Sequence, residues 1–300
     1  MREIPEFEFI KDYKHNEVLR QSFFSLAADT FELQLERWYE EGFWNERYIP
    51  YSYAEGNRVI ANVSVNLLEL IIDGVKCTAV QLGTVMTHPD YRGRGLSARL
   101  MDKVLEDYGD QAEFMYLFAN DTVLDFYPRF GFRPVEEQLF SMDCPAGTAG
   151  SAGSAEIRKL DLSISGDLNL ISALAAQRLP VSERLSVSGA QGLLMFYCLN
   201  VFSNNLYYLE DEELLAICQQ ENGQLEIFDL ISTKPLSIRE TAFKLADSST
   251  ETIVFHFTPD DDSDGPQLSS SSSYSGGLFV RNLGSRQYPP DVKHPATSIA

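Results

Sequence analysis

The chain has 300 residues, 44% of them hydrophobic, with 24 Lys and Arg against 44 Asp and Glu and a formal net charge of -20. That length suits two ordinary domains with real cores, and the acid excess excludes nucleic acid as a partner, because phosphate backbones are held by a basic face. No apolar run is long enough to span a bilayer, and Met1-Arg2-Glu3 leads into no signal-peptide core. Cys77, Cys144, Cys198 and Cys218 are scattered without zinc-ligand spacing. The expectation is a cytoplasmic protein with reduced thiols, no membrane segment and no metal.

In chain order, Tyr13 to Ala28 reads as an amphipathic helix with Val18, Leu19, Phe23, Phe24 and Leu26 as its apolar positions. A second helix is expected over Phe31 to Glu41, carrying Leu33, Leu35 and Trp38 and closing near Gly42. The aromatic run Phe43, Trp44, Tyr48, Tyr51 and Tyr53 is either a wall for an apolar or cationic substrate or plain core packing. Strands follow over Arg58 to Val65, Leu67 to Ile72 and Val75 to Met86, the last two joined by an Asp73-Gly74 hairpin turn.

The stretch Gln81 to Leu105, QLGTVMTHPDYRGRGLSARLMDKVL, organises what comes next. It runs from a buried strand through Thr87-His88-Pro89-Asp90 into an Arg/Gly loop, then into a helix with Leu96, Leu100, Met101, Val104 and Leu105 on one face. A strand, a glycine loop and a helix N-terminus together can hold a phosphate: the first amides of a helix lack internal partners, and its dipole favours negative charge. Arg92, Arg94 and Arg99 add cations there, in an otherwise acidic chain. The loop fits neither the P-loop pattern nor the G-x-G-x-x-G dinucleotide pattern, and taken alone it reads equally as a plain turn. Phe114 to Ala119 then reads as a buried strand, with Asn120 and Asp121 capping a short helix that carries Val123, Leu124, Phe126 and Tyr127 and stops before Pro128.

The order VMTHPDYRGRGLSARLM resembles the acetyl-CoA loop of the GNAT N-acetyltransferases, Arg/Gln-x-x-Gly-x-Gly/Ala. Arg92 and Gly95 match its first two fixed positions, and Ser97 stands where glycine or alanine is usual. FYPRFGFRPVEE is similar to a second segment of that family. The resemblance implies a GNAT fold, an α/β (α+β) domain with a mixed central sheet flanked by helices. It also implies acetyl-CoA as co-substrate without a metal. Val85, Met86 and Thr87 would pair with the pantetheine arm, and Arg92, Gly93, Arg94, Gly95, Leu96 and Ser97 would hold the diphosphate. Asn120 would contact the arm where the strands splay, and Tyr127 would act as general acid on the departing sulfur. The acceptor would be a small-molecule or peptide amine that attacks directly. By the same resemblance His88 turns toward the phosphates and takes no catalytic part.

Many family members place a glutamate on the strand before the loop, but here it reads Gln81-Leu82-Gly83-Thr84. The hairpin lead-in and overall size look like the Eis-type branch, which can direct a C-terminal carboxylate into the active site, and this makes Ala300 a candidate base. The missing glutamate also keeps open a CoA-binding regulatory module without turnover, and a pure interaction protein.

Pro145 to Ala155 is a small-residue stretch that reads as a linker, dividing the chain into residues 1–143, 144–155 and 156–300. Beyond it, helices are expected over Leu168 to Leu179, Leu193 to Phe202 and Ile238 to Leu245. Strands are expected over Tyr207 to Leu209, Glu213 to Gln219, Leu225 to Ile231 and Thr252 to Phe257. LAICQQENGQLEIFDLIS resembles the hairpin before a GNAT cofactor loop, but Ser-Thr-Lys-Pro follows and the arginine loop is missing. The second half therefore reads as a smaller, degenerate GNAT-like domain without cofactor, closing the acceptor cleft or making a contact in a homo-oligomer. Asp260-Asp261-Asp262 with Asp264 lacks calcium-loop spacing and, with the five serines after it, reads as a solvated loop. Leu278-Phe279-Val280 is expected to be a final strand.

Overall fold

The structure is a computed structural model and describes residues 7–145, 147, 156–260, 268–273 and 277–300. The chain enters through β1 (Glu8–Lys11) and α1 (Glu17–Phe31), where Asn16 Oδ1 accepts from the amide of Leu19 at 3.2 Å and caps the first turn. The second helix is shorter than its apolar spacing predicts. Glu32 turns left-handed (φ +60°) and ends α1, so α2 spans only Glu36–Glu40 and 33–35 is an irregular connection. β2 (Tyr48–Glu55), β3 (Arg58–Ile72) and β4 (Val75–Thr87) form an antiparallel meander. Asp73 and Gly74 turn with φ +50° and +72°, as a type I′ hairpin requires. The two strand segments expected before that turn are one continuous strand.

α3 (Leu96–Tyr108) crosses from β4 to β5 (Phe114–Phe118), which pairs parallel to β4. The short helix expected after Asn120 is instead two 3-10 turns, Asp121–Val123 and Tyr127–Phe130, with Pro128 at the start of the second. β6 (Arg133–Pro134) and β7 (Glu137–Asp143) follow. Then come β8 (Ile157–Lys159), α4 (Ser165–Gln177), β9 (Leu185–Ser188), α5 (Gln191–Asn200) and β10 (Leu206–Leu209). The hairpin β11 (Leu214–Glu221) and β12 (Gln224–Ser232) leads through α6 (Ile238–Leu245) to β13 (Thr252–Phe255). The chain closes through β14 (Ser269–Ser273) and β15 (Leu278–Asn282).

These strands make two mixed sheets. The first runs β1-β2-β3-β4-β5-β15-β6, with β9 pairing the far end of β3; the second runs β14-β7-β13-β12-β11-β10-β8. The second repeats the plan of the first: a hairpin, a crossing helix and a parallel strand, with β12 and β13 in the places of β4 and β5. Each sheet then takes its next strand from the other half of the chain. β15 lies antiparallel to β5, and β7 lies antiparallel to β13. The 144–155 stretch joins β7 to β8, and most of it lies outside the described residues. The serine run expected as a solvated loop is β14 itself, pairing β7 through backbone bonds that need no apolar side chains. Asp261, Asp262 and Asp264 lie outside the described residues, whereas Asp260 Oδ1 accepts from Ser182 Oγ at 2.6 Å. No helix among the described residues is long and apolar enough to cross a membrane.

The exchange has an energetic consequence. Leu278, Phe279 and Val280 of β15 are all buried, and each contributes roughly 1.5–3 kcal/mol by leaving water. Residues 1–143 expressed alone should therefore fail to give a folded monomer, because β5 loses its neighbour and exposes its edge. Far-UV circular dichroism and gel filtration read this out, and a soluble, native-like fragment would contradict it.

Candidate active site

The site begins with one extra residue in β4. Ser64 pairs with Gly83 and Asn62 pairs with Met86, so Val63 alone faces Thr84 and Val85. This is a β-bulge, and Thr84 adopts φ +43°, a costly conformation for a β-branched residue. A buried polar network holds it. Ser64 Oγ donates to Tyr48 OH at 2.8 Å, Tyr48 OH lies 2.9 Å from Thr84 Oγ1, and Thr84 Oγ1 donates back to Ser64 Oγ at 2.6 Å. Asn62 Nδ2 donates to the Thr84 carbonyl at 2.9 Å, and its Oδ1 accepts from Ser52 Oγ at 2.8 Å, which in turn meets Tyr13 OH at 2.7 Å. Beyond the bulge β4 leaves its parallel neighbour: the β4–β5 register ends at Leu82 and Leu117.

The wedge between the parted strands opens into a cavity of about 750 Å³. Of the ten residues expected at the cofactor, Val85, Met86, Thr87, Arg92, Ser97 and Asn120 line it. The Met86 side chain is buried in the apolar cluster that includes α1 and Trp38. Gly93, Arg94, Gly95 and Leu96 lie on the adjoining loop outside the lining, and the Leu96 side chain belongs to the core beneath the sheet.

Gly93 and Gly95 have φ +74° and +72°, and a Cβ on either would meet nothing within 4 Å, so backbone conformation rather than crowding calls for glycine. Gly95 caps α3 without a side-chain bond, and the first helical bond runs from Arg99 N to Gly95 O at 3.1 Å. The amides of Leu96, Ser97 and Ala98 are thereby left without partners inside the helix. Arg92 Nε donates to the Thr87 carbonyl at 3.2 Å, and Ser97 Oγ lies 2.7 Å from Thr87 Oγ1, tying the loop to the end of β4. None of Arg92, Arg94 and Arg99 is paired with a carboxylate among the described residues.

Tyr127 stands across the wedge, packed among the rings of Phe126, Phe132 and, from β15, Phe279. Its hydroxyl bonds no described residue, and burial pushes its pKa up to about 12. His88 is outside the cavity, with Nε2 2.6 Å from Arg58 Nη2 and Nδ1 accepting from Asp90 N at 3.3 Å. Of the aromatic run only Tyr48 reaches the cavity; Trp44, Tyr51 and Tyr53 are core.

The opposite wall contains Trp38 of α2 together with residues that sequence reasoning did not assign to the site, Leu193, Phe196 and Tyr197 of α5. Trp38 Nε1 donates to Gly192 O at 2.7 Å, and a Cβ on Gly192 would stand 2.8 Å from Phe43 O, so a glycine is needed where α5 meets the first half. The i, i+3, i+4 spacing of the α5 residues showed a buried face but not what it faces. Ala300 also lies in the cavity. A Cβ on Gly83 would be 2.7 Å from Ala300 Cβ and 3.2 Å from its backbone oxygen, so only glycine lets that segment approach β4. The segment is held from beneath by the buried Lys293–Glu137 pair at 2.9 Å, by His294 N donating to Glu137 Oε1 at 2.8 Å, and by Thr297 bonding Asp229.

Residues 14–135, which include the bulge, the arginine loop and Tyr127, match the family described as an acetyltransferase (GNAT) domain. That segment is a GNAT acetyltransferase domain. The GNAT fold is shared by solved structures over nearly the whole length. A GCN5-related N-acetyltransferase from Kribbella flavida is 16% identical, with a TM-score of 0.54 over 93% of this chain and 72% of its own. Eis1 from Mycobacterium abscessus is 15% identical, with a TM-score of 0.55 over 93% of this chain and 73% of its own. A conserved protein from Enterococcus faecalis V583, also 15% identical, reaches a TM-score of 0.61 over 93% of this chain and 73% of its own. No curated protein sequence matches the chain. At these identities the likeness is one of fold, and it takes in the second sheet as well as the GNAT domain.

Two outcomes follow from the network. Asn62→Ala strips Ser52 Oγ and the Thr84 carbonyl of a buried partner and should cost about 1–3 kcal/mol in urea denaturation; an unchanged midpoint would show that the bulge does not depend on Asn62. Burial holds the phenols of Tyr48 and Tyr127 at about 12, above their ordinary value. The unfolded chain therefore ionises first, and stability should fall as pH rises from about 10 through 12. Tyr48→Phe should flatten that fall, which a pH series of thermal midpoints would measure.

Proposed function

We propose that the protein transfers the acetyl group of acetyl-CoA to a primary amine by direct attack. The carrying observation is one cavity, lined by Arg92 and Ser97 at the start of α3 and by Tyr127, that runs through the wedge between β4 and β5. The amides of Gly93 to Ser97, with Arg92 and Arg94, would hold the diphosphate. The backbone of Val85, Met86 and Thr87 and the side chain of Asn120 would hold the pantetheine arm. Positioning and strand amides aimed at the thioester oxygen then do most of the catalytic work.

As the amine nitrogen bonds to the acetyl carbon, the carbon–sulfur bond breaks and charge develops on sulfur. A phenol held at about 12 keeps its proton throughout the neutral range and donates a hydrogen bond to that sulfur. The proton leaving the amine needs an acceptor on the other side. Gln81 offers no carboxylate, whereas Ala300 lies against Gly83 in the cavity and is the candidate acceptor of that proton. The acceptor is a small-molecule or peptide amine, and the protein acts in the cytoplasm.

Saturating acetyl-CoA, at about a hundred times its dissociation constant, should add roughly 2.7 kcal/mol of stability, and charge reversal at Arg92 and Arg94 should abolish that shift. Tyr127→Phe should keep the shift but lose about 100-fold or more in kcat. A missing shift in the wild-type protein overturns the cofactor site and favours an interaction protein. Wild-type turnover by Tyr127→Phe overturns the role of that phenol. Binding without turnover on any amine favours the regulatory reading.

A further inference from the structure

The acceptor side of the cavity carries a specificity that the transfer reading above does not state, and the inference rests on that reading. In a chain with 44 Asp and Glu, no Asp, Glu or Lys is among the described residues lining the cavity, and its one Arg, Arg92, belongs to the cofactor loop. The wall facing that loop is Phe31, Leu33, Trp38, Leu193, Phe196 and Tyr197. The acids are nearby but point away. After α1 ends, Leu33 and Leu35 turn inward while Glu32 and Glu36 are exposed. The rim can therefore attract a cation over a Debye length, while the interior has no side-chain carboxylate to pair with a second or third ammonium. An unpaired buried ammonium is strongly disfavoured, whereas an apolar body gains by burial and one ammonium gains from aromatic faces.

The polar tips on this wall are already committed. Thr30 Oγ1 donates to Leu26 O at 2.7 Å, Trp38 Nε1 donates to Gly192 O at 2.7 Å, and Tyr48 OH is held in the ring with Ser64 and Thr84. The exception is Tyr197, whose hydroxyl bonds no described residue although burial pushes its pKa up.

We propose that the acceptor is a monoamine with an aromatic or branched-alkyl body, seated against the wall that Trp38 forms with Phe196 and Tyr197 of α5, and that the Tyr197 hydroxyl meets one polar substituent on that body. Polyamines and aminoglycosides, which bring several ammonium groups, are poor acceptors for this cavity.

The test is steady-state acetylation of 2-phenylethylamine, tyramine, ethylamine, spermidine and an aminoglycoside at saturating acetyl-CoA, with thermal midpoints recorded with and without acetyl-CoA. 2-Phenylethylamine should exceed ethylamine and spermidine by about 100-fold in kcat/KM. Tyr197→Phe should erase any preference for tyramine over 2-phenylethylamine without changing the acetyl-CoA shift. Leu33→Asp, at a half-buried position that tolerates change better than Leu193, should raise kcat/KM for spermidine and lower it for 2-phenylethylamine, again with the shift intact. Spermidine or the aminoglycoside matching 2-phenylethylamine in the wild-type protein overturns this inference and leaves acetyl transfer standing. An acetyl-CoA shift without turnover on any amine overturns transfer and this inference together, while the absence of a shift removes the cofactor site itself.

Discussion

The site depends on a single extra residue in β4. A regular strand would stay paired with β5 beyond Leu82 and leave no wedge; the bulge at Thr84–Val85 lets the strands part. The left-handed backbone at Thr84 is costly, and the hydroxyl ring of Tyr48, Ser64 and Thr84, backed by Asn62, offsets that cost with bonds that would otherwise be missing in a dry interior. The same polar side chains that would be errors in an apolar core here define where the cavity begins. Because Tyr48 belongs both to this ring and to the cavity wall, the strain in β4 and the shape of the acceptor side are set by one group of contacts.

The second constraint is topological. Each sheet is a hairpin, a crossing helix and a parallel strand, and each is completed by a strand from the other half of the chain. β15 brings Phe279 against Tyr127, so the ring proposed to face the leaving sulfur is packed by a residue more than 150 positions away in sequence. β7 brings Glu137 into the second sheet, where it anchors Lys293 and His294 and so directs 299–300 back to Gly83. The exchange thus ties both faces of the cavity to the second half, although the cofactor loop lies wholly in the first.

Charge is distributed with the same logic. The surface carries most of the acid excess, the loop before α3 and the first turn of that helix carry three arginines without carboxylate partners among the described residues, and the proposed acceptor wall is apolar. An acidic chain repels anions in general, and the proposed diphosphate site is where cations and free helix amides coincide.

Much of this was legible in the sequence, for physical reasons that can be named. The Asp73-Gly74 turn, the alternation through β3, the glycine pair before α3 and the apolar face of that helix are local patterns with local causes, and the arginine loop and Tyr127 segment carried the family resemblance. Elements set by tertiary contact were not legible. Glu32 ends α1 with a backbone turn that no propensity announces, two 3-10 turns stand over 121–130 where one short helix was expected before Pro128, and a run of serines becomes β14 because β7 offers it an edge. The sequence by itself determined the cofactor side of the cavity, since one contiguous strand, loop and helix build it. Tertiary structure decided which residues build the proposed acceptor side, since Trp38, α5 and Ala300 are far apart in the chain and meet only because the two sheets exchange strands around one wedge.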